Sequence, residues 1–172
     1  MQLSLTKHAA KLANYNPHVE KHGEDSVPAA SLKIEITGHS SLLDAFDPSY
    51  RAFLFRKPDL VGEQQPLLKG DDLTALAKPN LKPLRLDEEF PGYTLRISVG
   101  LEASDDIVLA DAKLSNFVLE AINGGSVTIT LTASTHPDED QAGALYTLQQ
   151  QDIELTLEPP RAEGERQQQL AA

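Results

Sequence analysis

The chain has 172 residues, no cysteine and a formal net charge of −11. That length suits one domain able to bury a core unaided. The missing cysteines exclude disulfides, thiolate zinc sites, iron–sulfur clusters and cysteine nucleophiles.

Residues 1–30 are polar with weak periodicity and read as an N-terminal arm. Within it, residues 7–14 are compatible with a short helix that the Asn16-Pro17 turn signal ends, and residues 18–28 read as an exposed loop. No apolar core of a signal peptide and no membrane-length apolar run is present, so the expected location is the cytoplasm.

Residues 31–37 alternate, with Leu32, Ile34 and Ile36 on one side and Lys33, Glu35 and Thr37 on the other, as in a half-buried strand. Ser40 or Ser41 is placed to cap a short helix carrying Leu42, Leu43 and Phe46, which Asp47-Pro48 would end. Residues 50–55 (YRAFLF) are the most aromatic run in the chain.

Five prolines divide residues 58–91 into short pieces, while leucines recur throughout, as in an extended segment that covers a sheet. Tyr93, Leu95, Ile97 and Val99 then form one face of a strand, and another starts at Ile107. Residues 113–134 hold the strongest local signal: two alternating runs flank Asn123-Gly124-Gly125, a hairpin turn signature. Phe117, Leu119 and Ala121 line one side of its first strand; Val127, Ile129, Leu131 and Ala133 line its second, with Thr128, Thr130 and Thr132 facing solvent.

Asp138, Glu139 and Asp140 suit the positive end of a helix dipole, and Ala142, Leu145, Tyr146 and Gln149 are its expected inward stripe. Residues 152–158 close the fold as a strand with Ile153, Leu155 and Leu157 inward. Pro159-Pro160 stops it, and residues 159–172 read as a disordered tail. The expected architecture is one β-rich α+β domain over residues 31–158. It is an antiparallel sheet or barrel-like sandwich of roughly five to seven strands with two or three short helices, an OB-like barrel being one such form.

The chemistry is sparse. His18 and His22 stand four apart, but Pro17 and Gly23 favour a loop, and solvent-exposed histidines are the simpler reading than a metal site. Acid–base catalysis needs carboxylates in a shared desolvated cleft, whereas adjacent acids in loops, as at Asp71-Asp72, Asp87–Glu89 and Asp105-Asp106, usually point apart into water, and Asp138–Asp140 already suits a helix start. No phosphate loop, nucleophile elbow or dinucleotide fingerprint is present. No catalytic residue, metal ligand or cofactor is therefore expected.

The charge is unevenly spread: through Lys57 there are seven Lys/Arg against six Asp/Glu, and from Pro58 onward eight against twenty. Tyr50, Arg51, Phe53, Phe55, Arg56 and Lys57 interleave rings with cations, as single-stranded nucleic-acid surfaces do, and Lys7 and Lys11 add cations upstream. The alternative for the aromatic run is a core strand with charged ends.

Three segments resemble an uncharacterised group of small proteins of tailed phages and prophages: LTKHAAKLANYNPHVEKHGED (residues 5–25), LLDAFDPSYRAFLFRKP (42–58) and LSNFVLEAINGGSVTITLTAS (114–134). The resemblance covers most of the chain except the tail and brings no catalytic motif. It implies a phage accessory protein acting in a host cell's cytoplasm, where recombination, replication and anti-defence functions are common. The leading expectation is a non-enzymatic protein that meets single-stranded DNA or a recombination partner. The alternative is an acidic inhibitor that docks on a host defence or nucleic-acid-binding factor by imitating DNA. A virion component forming a homo-oligomer is third, and an enzyme last.

Overall fold

The computed structural model describes residues 3–23, 25–58, 73–98 and 106–160. Nine strands alternate with three short helical segments: β1 (Leu5–His22), β2 (Asp25–His39), a 3-10 helix (Ser40–Ala45), α1 (Pro48–Leu54), β3 (Phe55–Arg56), β4 (Ala75–Leu76), β5 (Leu84–Leu86), β6 (Phe90–Ser98), β7 (Ile107–Ile122), β8 (Ser126–Thr135), α2 (Glu139–Thr147) and β9 (Asp152–Glu158). Six of the strands, in the order β7-β6-β9-β1-β2-β8, close on themselves because β8 pairs back onto β7. The result is an antiparallel six-stranded barrel with β5 added alongside β7. Closure removes the unpaired edges that an open sheet would leave.

The barrel interior is filled by side chains. Leu12, Leu32, Ile34, Ile36, Leu95, Ile97, Leu114, Phe117, Ile129, Leu131, Leu155 and Leu157 are all excluded from solvent. The period-2 runs in β2, β6, β8 and β9 face inward as their alternation requires, and β7 with β8 forms the hairpin across Asn123-Gly124-Gly125. Gly124 and Gly125 take φ of 97° and 80°, the region glycine enters without steric cost.

The N-terminal segment differs from its sequence reading. Instead of an arm with a helix and a loop, it forms β1, which pairs with β9 on one side and β2 on the other. Two β-bulges explain the discrepancy. The register slips between Leu5 and His8 against β9, and again between Leu12 and Asn14 against β2. The inward residues Leu3, Leu5, Ala10, Leu12 and Tyr15 are therefore not evenly spaced by two, and the period-2 signal is lost. Lys7, at φ 47° in the first bulge, donates its amide to Thr156 Oγ1 at 3.0 Å. β7 bends at two similar places, with Asp111 and Asn116 at φ of 54° and 52°.

Past the Ala30–Thr135 pair the β1–β2 hairpin continues as a two-stranded ribbon, with His18 opposite Ala29 and Val19 opposite Pro28. Glu20 on this ribbon lies 3.3 Å from His136 and 3.5 Å from His18. The hydrogen bond to His136 is the main reason its carboxyl is held below the usual glutamate range.

α2 begins where its acidic residues suggest: Asp138 accepts from the Gln141 amide at 2.8 Å, and the Gln141 side chain accepts from the Asp138 amide at 3.1 Å. Its inward stripe is narrower than expected. Leu145 is the one buried residue of the helix and Ala142 is half-buried, but Tyr146 is 70% exposed. In the middle of the chain Leu73, Leu76, Leu84 and Leu86 pack on the core as the leucine pattern requires, whereas Leu81 is exposed. Leu67, Leu68, Asp71, Asp72, Val99, Asp105 and residues 161–172 lie outside the described residues.

Candidate nucleic-acid interface

Asp47-Pro48, expected to end a helix, ends one and starts another. Asp47 caps α1, its Oδ1 accepting from the Ser49 amide at 2.7 Å, and Pro48 occupies the first turn, where a missing N–H costs nothing. The run from Tyr50 to Leu54 is consequently helical and not a core strand. The 3-10 helix before it is capped by His39, not by Ser40 or Ser41, and Ser40 is buried. Phe46, which follows that helix, packs edge-on against Phe117 of the barrel at 5.4 Å between ring centroids, fixing the base of α1.

Helical geometry divides the aromatic–basic run. Leu54 and, past the helix end, Phe55 turn into the core; Phe55 is 1% exposed, so its ring cannot stack on a base. Tyr50 is half-buried against the core. Arg51 is 18% exposed, with Nε donating to Ser40 Oγ at 3.2 Å and a guanidinium nitrogen 3.8 Å from Asp44, so it ties α1 to the 3-10 helix. Phe53 remains 42% exposed. Arg56 and Lys57 are exposed at the end of β3. Lys7 and Lys11 sit elsewhere, on the β1–β9 wall beside Glu154 and Asp152, with Lys7 Nζ 3.8 Å from Glu154.

The fold adds cations the aromatic run does not contain. β4 pairs with β3, placing Leu76 opposite Phe55, and the chain then carries Lys78 back over α1. Lys78 Nζ lies 3.6 Å from the centre of the Phe53 ring, a cation–π contact worth about 0.5–1 kcal/mol when exposed. Lys78 and Lys82 also line a cleft of about 110 Å³ with Leu54, Leu76, Leu119 and Glu120. Residues 48–58 and 73–86 together hold six of the chain's fifteen Lys and Arg and none of its 26 Asp and Glu. Lys78, Lys82 and Arg85 were legible as a stretch of basic residues without acids, but nothing local connects that stretch to α1.

Among the described residues no three histidine or carboxylate side chains gather in a geometry that could hold a metal ion. Nor is any helix among them long and apolar enough to cross a membrane. Compared with known proteins, the chain matches no family model, no curated protein and no solved structure.

Proposed function

We propose that this is a non-enzymatic accessory protein of a tailed phage or prophage that associates with single-stranded DNA in recombination or replication. The observation that carries this reading is the Lys78–Phe53 contact. It joins two cation-bearing, acid-free segments on one side of an otherwise acidic protein. Phe53 supplies a partly exposed ring, and Lys78, Lys82, Arg56 and Lys57 supply charge for phosphates, the two elements single-strand surfaces combine. Tyr50 and Arg51 support the surface from beneath, and Phe55 anchors it. A barrel packed with side chains favours recognition on the outside over chemistry within.

Fluorescence anisotropy with a labelled oligonucleotide, titrated at low and high salt, tests the proposal. Binding that weakens steeply with salt is expected. Absence of any salt-sensitive binding would overturn it. Salt-dependent capture of a basic host protein in its place would support the acidic-inhibitor alternative.

A further inference from the structure

Backbone hydrogen bonds hold Lys78 beside α1. The Ala77 amide donates to the Leu54 carbonyl at 2.9 Å, and the Leu81 amide donates to the Lys78 carbonyl at 3.1 Å. From there the Lys78 ammonium lies over Phe53, 3.6 Å from the ring centre. Among the described residues it makes no hydrogen bond or ion pair, so the ring alone holds it.

That position is one a stacked base would need. Stacked rings pack with their carbon atoms about 3.5–4.0 Å apart. A nitrogen 3.6 Å from the Phe53 centre therefore fills the layer in which a base would lie. The covered face takes a base only when Lys78 leaves it. Two effects favour the exchange. A base stacked on an aromatic side chain is worth more than an exposed cation–π contact. The released ammonium, compact and on a flexible four-carbon stem, can swing to a phosphate while its backbone stays in place.

Resting on the single-stranded DNA reading above, we infer that Lys78 caps Phe53 in the free protein and is exchanged for a base when a strand binds. The ligand must then supply a base and a phosphate together. A polyanion without bases meets the cations but leaves the cap in place. The site accordingly selects base-bearing strands over other polyanions.

The test compares oligo-dT with an abasic oligomer of equal length and phosphate number at one salt concentration. In the free protein the Phe53 ring current should shift the terminal methylene protons of Lys78 upfield in NMR spectra, with Phe53→Ala as the unshifted reference. Oligo-dT at saturation is expected to abolish that shift, and the abasic oligomer to preserve it. By fluorescence anisotropy, wild type should bind oligo-dT about fivefold or more tightly than the abasic oligomer, the effect of one stacked base. Phe53→Ala should lose most of that preference, and its thermal unfolding should stay near wild type because the ring is 42% exposed. Four results would overturn the exchange and leave the DNA reading standing: no upfield shift in the free protein, a shift that survives oligo-dT binding, equal wild-type affinities, or a preference unchanged in Phe53→Ala. Binding to neither oligomer would overturn both.

Discussion

The amide of Gly124 donates to the carbonyl of Thr74 at 2.9 Å, so the tip of the β7–β8 hairpin holds the segment that leads to Lys78. On its other side Gly125 accepts from the Ser40 amide at 2.8 Å, holding the start of the 3-10 helix. One tight turn thus clamps the chain on both sides of α1. Within the sequence it is a local hairpin signal; within the fold it positions the proposed interface.

Replacing either turn glycine forces an L residue into positive φ, which costs about 1–2 kcal/mol. At Gly124 a new Cβ would meet open space, whereas at Gly125 it would lie 3.3 Å from the Leu73 carbonyl oxygen. Gly125→Ala is therefore expected to unfold at a lower denaturant concentration than Gly124→Ala. It should also weaken oligonucleotide binding more, by shifting residues 73–78. Equal midpoints for the two variants would argue against the clamp.

The cap of α1 makes the interface sensitive to acid. Hydrogen bonds from the Ser49 side chain and amide hold the Asp47 carboxyl below the usual aspartate range. A depressed acid contributes stability that is complete above its unfolded pKa, about 3.9, and is lost as pH falls through the lower folded value. Asp47→Asn keeps a capping acceptor but cannot titrate. It should match wild type near neutrality and show a flatter dependence of melting temperature on pH below about 4. Parallel curves would place the acid sensitivity elsewhere.

If Lys78 and Lys82 each neutralise one phosphate, removing either lowers the slope of log affinity against log salt by about 0.7. Lys82→Ala and Lys78→Ala titrated at several salt concentrations report this directly. An unchanged slope in both variants would remove these two residues from the contact surface.

The two faces of α2 predict opposite outcomes at adjacent positions. Leu145 is fully buried, so Leu145→Ala should cost about 2–4 kcal/mol in chemical denaturation. Tyr146 is largely exposed, and Tyr146→Ala should stay within about 0.5 kcal/mol of wild type. Asp138→Ala, which breaks the capping box, should fall between them at about 1 kcal/mol.

Much of the barrel follows from local rules alone. The alternation around Ile129 and Leu131, the Asn123-Gly124-Gly125 turn, the strand at Leu155 and the helix start at Asp138 each involve residues only a few positions apart. Their signals survive without knowledge of partners. Other features exist only in relation to distant chain. β1 has an extra residue at each of two places because β9 and β2 set its register, and those slips erase the period-2 pattern that would have revealed it. Asp47-Pro48 has the chemistry of an ending and of a beginning, and packing of Leu54 and Phe55 against the barrel decides in favour of both. Lys78 reaches Phe53 only because β4 pairs with β3, a contact between residues separated by 25 positions. Sequence alone determined which residues would be buried in the regular strands, since burial there depends on alternation. Tertiary structure decided which cations meet which ring, since that depends on strand pairings whose loop-closure cost and register no local pattern encodes.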